Sequence, residues 1–206
     1  MIHLERTTVM NMENAIRGAR NPHNSWARMD SMYDEEGNFI LGENDRELGN
    51  KLAKSGTDHR KFIRQIFISV DITAPLYWWK EFDTYKVGTV ANSTSTMHKI
   101  HSKEFRMEDF SCDQMTEDTR AFMEQVLSYL EKVRLRYVNT KNKQDWYDLI
   151  QLLPSSYNQL RTVTMNYENA SNIYYARKNH KLAEWHLFCR WIETLPYAED
   201  FILVKD

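Results

Sequence analysis

The sequence predicts a helix-rich α+β fold that combines a short antiparallel or mixed sheet with long helices. After Thr116, apolar residues recur in steps of four, four, three and four, which gives one stripe along a long helix. The stripe consists of Phe122, Val126, Leu130, Val133 and Tyr137. Between residues 64 and 72, apolar residues alternate with more polar ones, which is the period-two pattern of a strand. The chain has six glycines against six tryptophans and eleven tyrosines, which argues against a loop-rich fold of small strands.

Length and composition indicate one globular domain over residues 1–206 and exclude several classes of protein. Hydrophobic residues make up 42% of the chain, which is enough for a sizeable core and excludes a disordered tail. The 27 Lys and Arg residues are outnumbered by 29 Asp and Glu residues, so we expect no nucleic-acid partner. No apolar run approaches the roughly 18 residues that span a bilayer, and the first residues are too polar for a secretory signal. We therefore expect a cytoplasmic protein without a membrane partner.

The first segment of the chain predicts a strand, a helix and a long loop. Residues 2–10 are β-branched and mixed, as in a short strand. Asn11 is a candidate N-cap for a helix that reaches about Ala19. Residues 21–43 are rich in Asn, Pro, Asp and Gly without a steady period, so they predict a long irregular loop.

A second helix and the alternating strand follow this loop. The helix is predicted to start at Asn44-Asp45 and to end at Gly56, a natural C-cap. The strand is predicted over residues 64–72. Pro75 then suits the first position of a further helix.

That further helix is predicted to run from Leu76 to about Lys86, with Gly88 after its end. The remaining predicted elements are a long helix after Thr116, a helix over 145–153 stopped by Pro154, a strand over 159–165, and helices over 167–178 and 182–195.

The predicted loop over residues 88–98 is the first candidate binding site, because small hydroxylic side chains fill it. Its candidate ligand-binding residues are Thr89, Asn92, Ser93, Thr94, Ser95 and Thr96. Hydroxyls and loop amides can bind phosphate or the edges of bases without a formal charge. The alternative is an ordinary polar connection, and the strongly aromatic helix before the loop favours binding.

Other conspicuous residues are better explained by structure than by chemistry. The aromatic helix carries Tyr77, Trp78, Trp79 and Tyr85. Packing in a core or between subunits is favoured over stacking on a ligand for these rings. His98 and His101 form an H-x-x-H pattern, but zinc needs two further ligands, so we expect no metal. Cys189 lies on an apolar helix and is expected to be a buried thiol.

Three stretches of the sequence occur in the same order as in a known family. The first is FISVDITAP (67–75) with its aromatic helix and hydroxylic loop, and the second is the long helix after it. The third comprises Leu152-Leu153-Pro154, then Asn166, Asn172 and Arg177, then Ala183-Glu184-Trp185. Over residues 44–195 this order resembles the flavin-dependent thymidylate synthases, and the segment from Leu-Pro to Arg matches that family without a gap.

The resemblance implies a flavin-dependent thymidylate synthase-like subunit that assembles as a homotetramer, with FAD and dUMP bound where subunits meet. Family members use reduced flavin to move a methylene group from folate onto dUMP, in nucleotide biosynthesis. By this resemblance Arg177 is the catalytic residue, which polarises the pyrimidine or contacts its phosphate. Asn166 and Asn172 orient flavin or nucleotide, and Lys86 holds phosphate.

The chain departs from the family pattern at its charged positions. The family reads R-H-R-x-x-S-x-N-E-x-S-x-R-Y in the loop, where this chain has Thr84-Tyr85-Lys86 for Arg-His-Arg. The other loop differences are Thr89 for Ser, Ala91-Asn92 for Asn-Glu, Thr94 for Ser, and Thr96-Met97 for Arg-Tyr. Before the strand, Ile63-Arg64-Gln65 stands for Phe-Glu-His, and Glu168 stands for an Arg.

These observations leave three functions open. The first is a divergent enzyme that binds flavin and a pyrimidine nucleotide and methylates dUMP or a related nucleotide. The second is a non-catalytic oligomeric protein that sequesters a nucleotide on the same scaffold, which the lost Arg-His-Arg motif favours. The third is a chain that packs into an oligomer without a ligand.

Overall fold

The computed structural model describes residues 1–204 and confirms a helix-rich α+β fold, with about 52% of the chain in helices. Contacts between Cα atoms divide the chain into two compact units. The first unit comprises residues 1–3, 72–84 and 92–162, and the second unit comprises the rest of the described chain. The single domain over 1–206 stays a prediction.

Across residues 1–204, every helix is too short or too polar to span a bilayer.

The strands and helices have the following bounds. The strands are β1 His3–Met10, β2 Met32–Tyr33, β3 Phe39–Ile40, β4 Phe67–Pro75, β5 Val90–Ser93 and β6 Asn158–Asn166. The helices are α1 Met12–Ala19, α2 Glu43–Lys54, α3 Leu76–Phe82, α4 Thr96–Lys99, α5 Glu117–Thr140, α6 Lys143–Leu152, α7 Tyr167–Arg177, α8 Ala183–Glu193 and α9 Ala198–Phe201. Short 3-10 segments cover Asn21–His23, Trp26–Arg28, Arg60–Gln65 and Met107–Asp109. One sheet has the strand order β1-β4-β6-β5, and β2 and β3 form a separate antiparallel pair.

The predicted alternating strand exists, but it is displaced along the chain. Its apolar residues Ile66, Ile68, Val70 and Ile72 are all fully buried, as their spacing predicted. The strand itself is β4, Phe67–Pro75, and the residues before it form the 3-10 segment Arg60–Gln65. The prediction of a strand from residue 64 was therefore wrong at its start.

In the first unit, α5 packs on α6. The core cluster there contains Ile100, Phe105, Phe110, Cys112, Met123, Leu127, Leu130, Val133 and Leu149. The predicted α5 stripe was partly wrong, since Phe122 is 63% exposed and its neighbour Met123 is buried instead. Apolar residues occupy two adjacent sides of this helix, and packing buries the side that carries Met123 and Leu127.

The aromatic helix α3 belongs to the core of the first unit. Trp78 and Trp79 are almost fully buried, and the Trp78 ring stacks on Phe82 with 5.1 Å between centroids. The Trp79 indole donates to the carbonyl of Gln159 at 3.0 Å. Core packing is thereby confirmed for both tryptophans. The helix ends at Phe82, so its predicted extension to Lys86 was wrong.

In the second unit, the predicted irregular loop over residues 21–43 contains regular structure. Two 3-10 segments and the β2–β3 pair occupy it, with Met32 opposite Ile40. The loop also supplies the cap of α2, because the Asp30 carboxylate accepts from the backbone amides of Asn44 and Asp45 at 2.9 and 3.1 Å. The helix begins at Glu43, one residue before its predicted start at Asn44-Asp45.

Two further caps in the second unit test the sequence predictions. Asn11 does not cap α1 with its side chain: it has φ 68° and donates instead to the carbonyl of Gln65 at 2.9 Å. Gly56 does follow the end of α2 and has φ +88°, as predicted for a residue that ends a helix.

Candidate functional site

Arg177 lies at the C-terminal end of α7 and is fixed by two aromatic residues of the second unit. Its Nε donates to the hydroxyl of Tyr85 at 2.7 Å. Its guanidinium carbon lies 4.8 Å from the ring centroid of Trp185 and 5.5 Å from that of Tyr85. The side chain is half-buried. Stacking and a hydrogen bond together hold the planar guanidinium in one orientation, which is the arrangement that directional recognition of an anion or a carbonyl requires.

The segment 85–91 forms a tight turn that is attached to the start of α7. Gly88 has φ +79°, and a Cβ built there would lie 2.7 Å from the Oδ1 of Asn169. The side-chain amide of Asn169 donates to the carbonyl of Val87 at 2.7 Å. The Thr89 hydroxyl donates to the carbonyl of Tyr85 within the turn. The hydroxyl proton of the predicted binding residue Thr89 is therefore already in a hydrogen bond within the turn. Lys86, in the same turn, is exposed.

Asn166 has a structural role at the start of α7. Its side-chain oxygen accepts from the amide of Asn169 at 2.9 Å, and the Asn169 side chain accepts from the amide of Asn166 at 3.2 Å. This reciprocal capping box fixes the helix start against the turn. Asn172 lies on the exposed side of the same helix.

Asn169 was missed by the sequence analysis although it connects α7 to the turn. The signal that could have found it is the spacing Asn-x-x-Asn at the boundary between a strand and a helix, which is the spacing of a capping box.

Two departures from the family pattern form an ion pair with each other. The Arg64 guanidinium donates to both carboxylate oxygens of Glu168, at 2.6 and 3.1 Å. This hydrogen bond raises the pKa of Arg64, against the opposing effect of burial. The family pattern has Glu and Arg at these two positions, whereas this chain has Arg and Glu. The charges at the two positions are exchanged relative to the family pattern, and in this chain they form a bidentate pair.

The other predicted loop residues lie in the first unit, where only Thr94 and Ser95 lie outside a strand or a helix. Asn92 and Ser93 are exposed on β5, and a short helix, α4, begins at Thr96. Thr94 is tied to β6, since its amide donates to the carbonyl of Leu160 at 2.9 Å. The Ser95 hydroxyl accepts from the amide of His98 at 3.0 Å. The prediction of a loop over 88–98 was wrong for residues 90–93, which form an edge strand beside β6, and for residues 96–98, which are helical.

Thr94 and Ser95 line a cavity of about 350 Å³ in the first unit. The remaining lining residues include Thr73, Thr96, Lys99, Ser102, Lys103 and Tyr157. Lys103 forms an ion pair with Asp109, which also lines the cavity. The cavity therefore presents hydroxyls and one ammonium group of Lys99 that has no such acidic partner among the described residues.

A larger cavity, of about 720 Å³, lies in the second unit. Its lining combines the imidazoles of His23 and His59 with Lys61 and the apolar side chains of Leu52 and Phe62. Volumes of roughly 300–1,000 Å³ are usual for small-molecule sites. No sequence motif pointed to this cavity, because it is assembled from three separate stretches of the chain.

The sequence analysis also made predictions about the H-x-x-H pattern and about Cys189. His98 and His101 share one cavity, but the residues described contain no group of three potential ligands for a metal ion. Cys189 is buried, as predicted, and burial raises the pKa of its thiol to about 11.

Comparison with known proteins gives structural matches only. No protein-family model matches the sequence, and a search of curated proteins gives no match either. The chain superimposes on thymidylate synthase X (ThyX) from Helicobacter pylori with FAD and dUMP, with a TM-score of 0.77 and 16% identity over 100% of both chains. The chain has the fold of a flavin-dependent thymidylate synthase. A second structure of the H. pylori enzyme with FAD and dUMP gives a TM-score of 0.71 and 16% identity over 98% of this chain and 96% of that one.

The match over the whole chain confirms the fold that the resemblance implied. The catalytic and binding roles of the predicted residues stay predictions. Within the second unit, Lys86 and Thr89 lie in the turn after Tyr85, Asn166 caps α7 and Arg177 ends it, and hydrogen bonds join the turn to α7.

Proposed function

We propose that the chain binds FAD and a pyrimidine nucleotide of the dUMP class, and that it methylates this nucleotide. The observation that carries the proposal is the fixed guanidinium of Arg177, stacked on Trp185 and bonded to Tyr85. It stands on a fold shared over its whole length with an enzyme solved with FAD and dUMP.

Arg177 is the proposed catalytic residue. A guanidinium offers five N–H donors in a plane, and the one on Nε donates to Tyr85. The two amino groups suit a pyrimidine carbonyl or a phosphate oxygen. A hydrogen bond to such a carbonyl stabilises the negative charge that develops on its oxygen when a nucleophile adds to the ring.

The residues present fit a flavin in the second unit. The cavity with His23, His59 and Phe62 offers imidazole and apolar surfaces to a planar ring system, and Lys61 offers a positive charge to its anionic groups. Bound flavin would supply the reducing equivalents. Asn172 on α7 and Thr89 and Lys86 in the turn are proposed to orient flavin or nucleotide, with Lys86 as the phosphate partner.

In the first unit, the proposed nucleotide contacts are the hydroxyls and amides of Asn92, Ser93, Thr94 and Ser95. Neutral donors of this kind bind phosphate more weakly than guanidinium groups, by roughly a factor of two in energy per contact. We expect a weaker nucleotide site than one built from several arginines.

The proposal includes a homotetramer in the cytoplasm, with ligands bound where subunits meet. Support for a reducing compartment comes from Cys112 and Cys189, both of which are buried free thiols. Analytical ultracentrifugation tests the tetramer.

Flavin titration tests the binding proposal. Purified protein is expected to perturb the visible absorbance of FAD, and dUMP is expected to change that spectrum further if both ligands bind as proposed. The Arg177→Ala variant should lose the change caused by dUMP. An FAD spectrum that wild-type protein leaves unchanged at high concentration excludes the proposal.

A second function, nucleotide binding without turnover, is favoured by a specific observation. Where the family pattern has Arg-His-Arg, this chain has Thr84-Tyr85-Lys86, and Tyr85 serves to hold Arg177. Fewer cations then remain for substrate and flavin phosphates. Thermal shifts with mono-, di- and cyclic nucleotides in the absence of FAD support this function, whereas formation of dTMP from dUMP with reduced FAD and methylenetetrahydrofolate excludes it.

A further inference from the structure

A cationic cavity lies in the first unit, and its lining includes none of the nucleotide or flavin contacts proposed above. Its volume is about 300 Å³. It is lined by Met97, His98, His101, Tyr137, Lys141, Lys143 and Trp146, and this lining contains no carboxylate. We call it the α5–α6 pocket, because Lys141 follows the end of α5 and Lys143 begins α6.

The two lysines of the α5–α6 pocket are held over aromatic rings rather than neutralised by acids. The ammonium of Lys141 lies 5.6 Å from the ring centroid of Tyr137, and that of Lys143 lies 5.5 Å from the ring centroid of Tyr147. Within residues 1–204, no ion pair between either lysine and a carboxylate is found.

The acids of the neighbouring helices are occupied elsewhere. Arg136 binds both Asp145 and Asp148, at 2.6 and 2.8 Å, and Arg134 binds Glu131 at 2.6 Å. The positive charge of the pocket is therefore not compensated by these carboxylates.

His101 offers a polar atom that has no partner. Its Nδ1 is buried and makes no hydrogen bond to any described residue. Burial, with the charges of Lys141, Lys99 and Arg134, lowers the pKa of His101, so the imidazole is neutral at pH 7. A buried polar nitrogen without a partner costs stability, and a ligand atom would satisfy it.

The aromatic walls of the pocket are fixed. The indole of Trp146 donates to the carbonyl of Met97 at 3.1 Å, and the ring of His101 meets that of Tyr137 edge to face at 4.9 Å. Fixed aromatic rings beside two ammonium groups match a ligand that combines a planar ring with a phosphate. A cavity of this size is at the lower limit of small-molecule sites, so the ligand is small.

We infer that the α5–α6 pocket binds a nucleoside monophosphate, with its phosphate between Lys141 and Lys143 and its base against the aromatic walls. This site is separate from the proposed FAD and dUMP site, and it does not depend on that function. Lysine ammonium groups bind phosphate as point charges, so the affinity should fall as salt is added.

Isothermal titration calorimetry with AMP and with UMP tests the inference, in both wild-type protein and the Arg177→Ala variant. We expect binding in both proteins, with adenosine alone and inorganic phosphate alone at least about tenfold weaker. The Lys141→Ala/Lys143→Ala variant should lose at least about tenfold in affinity. The control Lys80→Ala/Lys132→Ala removes the same charge from exposed helix positions and should leave affinity unchanged.

The His101→Phe variant gives a second test, in which both lysines of the pocket are kept. Since it removes an unsatisfied buried nitrogen and keeps an aromatic ring, it should raise the unfolding midpoint while it weakens AMP binding. The inference is overturned if AMP and UMP do not bind at concentrations up to about 10 mM, or if the double lysine variant binds as its control does. Tighter binding of a single-stranded pentanucleotide than of AMP would also overturn it, in favour of a nucleic-acid contact.

Discussion

Asp45 shows how a single charged residue organises part of the second unit. It is fully buried and forms an ion pair with Arg20 at 2.6 Å. The hydroxyl and amide of Ser31 donate to its other oxygen, at 2.6 and 3.0 Å. Burial alone would raise the pKa of Asp45, but the hydrogen bonds from Ser31 and Arg20 outweigh it and lower that pKa.

Asp45→Asn should therefore destabilise the protein strongly. It leaves the Arg20 guanidinium buried without a counter-charge, and breaking such pairs costs about 3–5 kcal/mol. Urea unfolding followed by circular dichroism measures the loss. Glu47→Gln removes the same charge from an exposed position of α2 and should change the free energy of unfolding by less than about 0.5 kcal/mol. Equal effects of the two substitutions would contradict the structural role of Asp45.

The pH dependence of stability follows from the same residue. Because the folded pKa of Asp45 lies below its unfolded value of about 3.9, its contribution is complete above that pH and is lost as the pH falls through the folded pKa. The difference in unfolding free energy between wild type and Asp45→Asn should thus shrink between roughly pH 5 and pH 2. A difference that stays constant over this range contradicts the assignment.

A substitution of the single residue Arg177 tests the proposed binding of dUMP. Arg177→Lys keeps the charge but loses the planar fork and the stack on Trp185, so dUMP should bind about tenfold more weakly. Arg190→Lys, on the exposed side of α8, is the matched control and should bind dUMP as wild type does. The measurement is the concentration of dUMP that half-saturates the change in the FAD spectrum.

At the scale of elements, one ion pair connects the 3-10 segment Arg60–Gln65 to α7. Both members are partly exposed, with 39% of the Arg64 side chain and 20% of the Glu168 side chain accessible. Exposed pairs are worth about 0.2–1 kcal/mol, and bidentate geometry places this pair toward the upper end.

A charge-exchange cycle tests this connection. Arg64→Glu and Glu168→Arg should each destabilise the protein by about 1 kcal/mol, because each places two like charges together. The double variant restores the pair with the charge order of the family pattern and should recover most of the loss in thermal unfolding. Additive losses in the double variant would show that the two side chains do not interact in solution.

Elements were predictable from the sequence where one local pattern decides them. The alternation around Ile68 and Val70 and the helical periods of α5, α7 and α8 depend on neighbours within one or two turns, and all of these elements exist. The errors arose where a distant residue intervenes. Asn11 donates to the distant carbonyl of Gln65 and does not cap α1, and pairing with β6 converts part of a predicted loop into β5.

At the scale of the whole molecule, the order of elements was sufficient to predict the fold. The chain shares only 16% identity with the H. pylori enzyme, yet the two structures match over their full lengths. A fold depends mainly on the burial pattern, and this pattern survives replacement of charged side chains.

The candidate site was only partly predictable from the sequence. Arg177 was named from the family resemblance, but its partner Tyr85 lies 92 positions away, and no local pattern joins them. The cavity with His59 and Phe62 is assembled from separate stretches, so nothing in a single window indicates it.

The most direct test of the proposed function is a crystal structure of the protein with FAD and dUMP. We predict dUMP or flavin within hydrogen-bonding distance of the Arg177 guanidinium, with Trp185 still stacked on it. Crystals grown at saturating FAD and dUMP with neither ligand near Arg177 and Tyr85 would contradict the proposal.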